Sequence, residues 1–152
     1  MDRKFEINYG LLGREIMISE NAPEDLNELI RQLTGEYGNM DMYKVLDIVD
    51  NPSSRLFVAS FGDRGNIVGM TALVIATIPT GRFGLVGDVV VHEDYQKRGI
   101  ATELMNRLIT TAKDLDLEKL DLTSSAKREA AHTLYESLGF ERRETNNFRL
   151  MI

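Results

Sequence analysis

The stretch Val89-Val90-Val91-His92-Glu93-Asp94-Tyr95-Gln96-Lys97-Arg98-Gly99-Ile100-Ala101 decides the fold. A β-branched run stops at a charged turn, a glycine follows, and a helical periodicity begins. Ile100, Ala101, Leu104, Met105, Leu108, Ile109, Ala112 and Leu115 fall on one face of that helix. The first N–H groups of a helix have no partner within it, so the junction offers a backbone pocket for an anion. Gly99 has no side chain to hold a ligand away, and small Ala101 keeps the next turn open. Lys97 and Arg98 add positive charge in an otherwise acidic chain, an environment that suits a diphosphate. An ordinary strand-to-helix turn with a solvated Lys-Arg pair is the alternative for this segment taken alone. The pattern is neither GxxxxGK[ST] nor GxGxxG, which disfavours those two nucleotide-binding classes.

Working outward, residues 15–19 read as a first strand. A helix over 24–33 follows Asn21-Ala22-Pro23, with Leu26, Leu29, Ile30 and Leu33 on one face and Gly35 as its stop. A second helix over 42–49 ends before Asn51-Pro52. Strands over 55–60 and 66–78 flank the hairpin signal Gly62-Asp63-Arg64-Gly65. The next strand covers 83–91, and Gly87 within it marks a bulge or a close approach. Downstream come the long helix over 99–115, a short strand over 120–123 and a helix over 127–138. Gly139-Phe140 gives that helix a glycine stop followed by an apolar contact. Segments 140–143 and 148–151 are candidate closing strands. The order, roughly βααβββαβαβ(β), implies an α/β or α+β domain with a sheet covered by helices.

The 152 residues suit one domain over 1–152, without repeats or a linker. A net charge of -6 argues against general nucleic-acid binding, and no basic recognition helix is present. Cysteine is absent, which excludes disulfides and thiolate chemistry and fits a reducing compartment. The two histidines, His92 and His132, are too few for a metal cluster, so no metal is expected. His92 reads as a turn residue and His132 as a surface residue. The N-terminal residues Met1-Asp2-Arg3-Lys4-Phe5-Glu6 carry no secretory signal. The longest apolar stretch falls short of the ~20 residues that span a bilayer. A cytoplasmic protein without membrane attachment is expected.

A second motif lies downstream: Ala131-His132-Thr133-Leu134-Tyr135-Glu136-Ser137-Leu138-Gly139-Phe140. With the first, it resembles the GNAT superfamily of acyl-CoA-dependent N-acyltransferases. The family's main signature, (Arg/Gln)-x-x-Gly-x-(Gly/Ala), is met by Gln96, Gly99 and Ala101. Its later signature, Tyr-(Glu)-x-x-Gly-Phe, is met by Tyr135, Glu136, Gly139 and Phe140. The element order matches over nearly the whole chain. The resemblance implies a mixed, mostly antiparallel central sheet flanked by helices. It also implies acetyl-CoA, or another acyl-CoA, in a cleft between two splayed strands. The pyrophosphate would sit on the backbone of Gln96, Lys97, Arg98, Gly99, Ile100, Ala101 and Thr102. The pantetheine arm would pair with the strand Val89-Val90-Val91, chiefly at Val89 and Val91.

Acyl transfer to an amine needs a neutral nucleophile, a polarised thioester carbonyl and a proton for the departing thiolate. The resemblance assigns the proton to Tyr135, whose phenol, with an ordinary pKa of ~10, is protonated at neutral pH. A core aromatic on an apolar face is the alternative. Asp88 is the candidate base or water-orienting group, or else a turn anchor. The family often has glutamate at the position of Gly87, and this chain lacks it. The backbone N–H of Val89 is the implied polarising donor. Arg128 stands where the family often has asparagine; it either contacts a CoA phosphate or is a solvated helix residue.

The resemblance implies that the acidic, aromatic loop over 35–42 shapes the acceptor pocket, for an amine of a small molecule or a peptide; the alternative is a simple helix connection. A non-catalytic CoA-binding sensor is the second reading, favoured by the glycine at 87. A pure interaction module is a third, disfavoured by the phosphate turn. A homodimer is a family habit, and residues 148–151 either form an intermolecular strand or finish the sheet.

Overall fold

An almost unbroken apolar run between two turn signals builds the central strand, β3 (Asn66–Ile78). The computed structural model describes residues 6–62 and 64–152. Residues 1–5, read above for a secretory signal, and Asp63 of the hairpin turn lie outside the described residues. β3 pairs antiparallel with β2 (Ser54–Phe61) on one side and β4 (Gly81–Val91) on the other. β1 (Ile7–Leu11) extends the sheet antiparallel to β2, and β5 (Leu120–Leu122) joins β4 in parallel. The order is β1-β2-β3-β4-β5, mixed and mostly antiparallel as expected.

Helices cover both faces. α1 (Ala22–Thr34) and α2 (Met42–Asp50) bury Leu26, Leu29 and Val45 against Leu56, Val58 and Met70. α3 (Ile100–Asp114) lays Leu104, Met105 and Leu108 on Phe57, Leu73 and Val86 of the other face. α4 (Glu129–Ser137) adds the partly buried Leu134 and Tyr135 beside them. The ends follow the sequence. Gly35 N–H closes α1 on Arg31 O at 2.8 Å, and Asp41 accepts from Lys44 N–H at the start of α2. After α4, Gly139 N–H reaches Glu136 O and Phe140 N–H reaches Tyr135 O, the paired bonds of a Schellman ending.

Two expectations are corrected. The first strand is Ile7–Leu11, not 15–19. Residues 13–15 reverse the chain: the Glu15 carboxylate accepts from Leu11 N–H at 2.7 Å and Ile16 N–H returns to Leu11 O. Only an isolated Leu12–Ile16 bridge remains where the strand was expected. The closing strands over 140–143 and 148–151 are absent, and residues 140–152 have no ladder partner among the described residues. Residues 141–147 are all polar and carry no period-2 apolar pattern to fix a register. Smaller shifts occur at α1 and β4, which start two residues early, and at α4, which is shorter at both ends.

Candidate active site

β4 outruns β5, and its unpaired end makes the candidate site. Their parallel ladder covers only Gly84, Leu85 and Val86 against Leu120, Asp121 and Leu122. Beyond Val86 the β5-facing side of β4 has no strand partner among the described residues. A bulge falls at this point. Met70 pairs with Val90 and Ala72 with Gly87, so Thr71 faces both Asp88 and Val89. The extra residue is Asp88, exposed and held at φ 52°. The bulge thus sits one residue after the glycine that signalled it. A Cβ on Gly87 would meet nothing within 4 Å, so the position is open space.

The cleft side of β4 presents backbone. His92 N–H donates to Val68 O on β3 at 2.7 Å. By strand alternation the amide groups of Val91, and of Val89 two residues earlier, face away from β3. The Val91 carbonyl already accepts from Gln96 Nε2 at 3.0 Å and from Gln32 Nε2 at 3.2 Å. The Val90 side chain packs with the α1 layer, and that of Val89 with the α3 layer.

Next comes a short 3-10 turn, Glu93–Tyr95. His92 caps it, accepting from Asp94 N–H, as a turn residue should. Lys97 lies at φ 61° and Gly99 at φ 78°, ψ 10°. Glu103 N–H to Gly99 O is the bond that opens α3, at 3.0 Å. Among the described residues, no hydrogen bond leaves the N–H groups of Arg98, Gly99, Ile100, Ala101 or Thr102. A Cβ on Gly99 would meet nothing within 4 Å, so the mouth of the helix is unobstructed. That row of amides, with the helix dipole behind it, fits a diphosphate. Arg98 turns back on its own segment: it donates to Asp94 O at 3.2 Å and lies 5.3 Å over the Tyr95 ring.

The opposite bank is α4. Tyr135 is half-buried, packs edge-on to Phe140 at 6.0 Å, and lines a cleft of about 610 Å³ with Leu85, Leu120, Leu122 and His132. Burial pushes its phenol above the ordinary tyrosine value, and the Arg128 charge partly opposes this. Arg128 itself donates Nη2 to Leu33 O at 2.7 Å, tying the start of α4 to the end of α1. His132, expected at the surface, is half-buried in the cleft wall. The cleft reaches neither Asp88 nor the 96–102 turn.

The profile of the Acetyltransferase (GNAT) family matches residues 24–140. The chain belongs to the GNAT acetyltransferase family. Solved GNAT-like structures agree with this. A Trypanosoma brucei acetyltransferase is 25% identical, with a TM-score of 0.78, covering 97% of this chain and 100% of that one. Two others share the fold at lower identity. A ribosomal-protein-alanine N-acetyltransferase from Brucella melitensis is 20% identical, with a TM-score of 0.72 over 95% of this chain and 99% of that one. A glucosamine-6-phosphate N-acetyltransferase from Arabidopsis thaliana is 16% identical, with a TM-score of 0.76 over 97% and 99%. No curated protein matches by sequence.

Two amides that tie α1 to the segments around it carry no sequence signal. Gln32, on the last turn of α1, donates to Val91 O and accepts from Glu93 N–H at 3.2 Å. Asn27, buried, accepts from Met40 N–H at 2.7 Å and donates to Met40 O at 3.0 Å. The two amides fix the loop after α1 and the strand end before the phosphate turn. Hydrophilic residues on a helix otherwise read as a solvated face.

Proposed function

We propose that this chain transfers an acetyl group from acetyl-CoA to a primary amine of a small molecule or a peptide, as a cytoplasmic enzyme that works as a homodimer. One observation carries the reading: among the described residues, unbonded amides at the mouth of α3 adjoin a β4 edge that no strand covers beyond Val86. The residues of the turn, Gln96 to Thr102, hold the diphosphate through their backbone. Gln96 serves by fixing Val91, since its side chain is already bonded there. The outward amides of Val89 and Val91 receive the pantetheine, and the Val89 N–H polarises the thioester carbonyl. Tyr135, kept protonated by burial, gives its proton to the departing thiolate. Asp88 takes the amine proton through water from its place at the bulge. The relatives act on unlike amines, by their names a ribosomal-protein alanine and an amino sugar phosphate. They support amine acylation as a class and leave the acceptor open. No described helix is long and apolar enough to cross a membrane.

A second reading, a CoA-binding sensor without turnover, is favoured by the open space at Gly87 where a carboxylate would otherwise stand. Calorimetry with CoA, paired with thiol release from acetyl-CoA across an amine panel, separates the two. Heat with thiol release supports the enzyme. Heat without release across the panel supports the sensor. No heat at millimolar CoA removes both.

A further inference from the structure

The cleft edge of β4 is bounded at both ends. At one end β5 pairs with it as far as Val86. At the other end stands a single side chain, the carboxamide of Gln32 on the last turn of α1. Its Nε2 donates to Val91 O at 3.2 Å, and its Oε1 accepts from Glu93 N–H at 3.2 Å. His92 N–H, between those two groups, points the other way, to Val68 O on β3. Donating to one residue and accepting from the residue two places on is what a single residue of a parallel strand does. The Gln32 amide thus fills one rung of a ladder, on the edge that β5 joins in parallel. Its own position is fixed from outside. Arg128 Nη2 holds Leu33 O, the next residue along, at 2.7 Å, and Gly35 N–H closes the same turn on Arg31 O at 2.8 Å. Satisfaction of the backbone does not require this rung. Val91 O already accepts from Gln96 Nε2 at 3.0 Å, and Glu93 is exposed, with water at hand for its N–H. Holding a long side chain still costs rotamer entropy, so the contact calls for another role.

We propose that Gln32 is a positioning residue that sets the register of the pantetheine arm on β4. The inference rests on the acetyl-transfer reading. An arm that starts from a diphosphate at the mouth of α3 meets the rung of Val91 O and Glu93 N–H first. Gln32 occupies that rung, so the two amides of the arm pass on to Val91 N–H and to Val89. With the rung freed, the arm can pair one rung early. One rung is two residues, about 7 Å of strand. Attack on the thioester needs the reacting atoms about 3–3.5 Å apart, so an arm held one rung back leaves its carbonyl short of the Val89 N–H and of Tyr135.

Residue-resolved amide hydrogen exchange, with and without millimolar CoA, tests this. In the parent the Glu93 amide should exchange slowly without CoA and stay unchanged with it, while CoA slows Val89 and Val91. Gln32→Met keeps the side-chain length and the helix and removes the amide. Its Glu93 amide should exchange at least about ten-fold faster without CoA, and CoA should slow it again as the arm takes the freed rung. Gln32→Glu still accepts from Glu93 N–H, and that amide should behave as in the parent. On any amine the protein acetylates, kcat of Gln32→Met should fall at least about ten-fold while CoA affinity stays within about three-fold. If the Glu93 amide of Gln32→Met stays fast with CoA bound, and Val89 and Val91 are slowed as in the parent, the register role is overturned and CoA binding stands. If CoA slows neither Val89 nor Val91 in the parent, the carrier reading itself fails and takes the register role with it.

Discussion

Gly99 carries two demands at once, a left-handed backbone and an empty approach to the α3 amides. The substitutions separate them. Gly99→Ala keeps the approach open and costs about 1–3 kcal/mol of backbone strain. Calorimetric titration should find its CoA affinity within about ten-fold of the parent. Gly99→Glu adds a carboxylate where the diphosphate belongs, and the same titration should show no heat. Tyr135→Phe preserves the packing on Phe140 and removes the proton. Turnover should fall by about 10²–10⁴ with CoA affinity unchanged, which steady-state kinetics beside calorimetry would show. A glycine at a strand–helix junction, or a tyrosine four residues before a helix-stopping glycine, is legible from local patterning alone. Gln32 is not, since its bonds to Val91 and Glu93 span 59 and 61 residues. Arg128 shows the same limit. Its guanidinium reaches Leu33, 95 residues away, and no local rule finds such a partner.

Elements with their own period or punctuation are legible in the sequence, whereas the first strand and the course of the chain after α4 are not. α3 follows from its apolar stripe, and β3 from its apolar run. The segment 15–19 has strand-like residues, yet Glu15 spends its carboxylate on Leu11 N–H and bends the chain away. α1 is held by side chains as much as by its apolar face. Asn27→Ala should leave both Met40 backbone groups unpaired and cost about 2–3 kcal/mol in urea denaturation. If the loop over 35–42 shapes the acceptor pocket, as the resemblance implies, KM for the amine should rise while CoA affinity holds. Asp25 ties α1 to β3 by accepting from Ile67 N–H at 2.8 Å. Burial raises its carboxyl above the ordinary 3.8, and the bond to Ile67 only partly offsets this. A raised folded-state pKa means its stabilising contribution is complete below 3.8 and is lost as pH rises through the folded value. At pH 7 the ionised group therefore costs stability. Asp25→Asn, whose amide oxygen still accepts from Ile67, should raise Tm at pH 7. The gain should shrink toward zero as the scan buffer approaches pH 3.8.

The whole molecule is one sheet with a core on each face, and α3 belongs both to a core and to the site. Ile100, Leu104, Met105 and Leu108 are all buried in the cluster behind the sheet, and the first of them carries one of the unbonded amides. A ligand held at the mouth of α3 thus grips an element that packs directly into that core. If the chain unfolds in one cooperative step, occupancy adds RT ln(1 + [L]/Kd) to the stability of the whole, about 2.7 kcal/mol at a hundred-fold excess over Kd. For a chain of this size each kcal/mol moves Tm by about 2–4 °C, so the shift should be about 5–10 °C. Differential scanning calorimetry with and without CoA measures it. The shift should persist in Tyr135→Phe, whose change lies on the far bank, and vanish in Gly99→Glu. An unshifted parent melt would mean that the α3 amides do not bind the carrier. A shift surviving in Gly99→Glu would mean that it binds elsewhere.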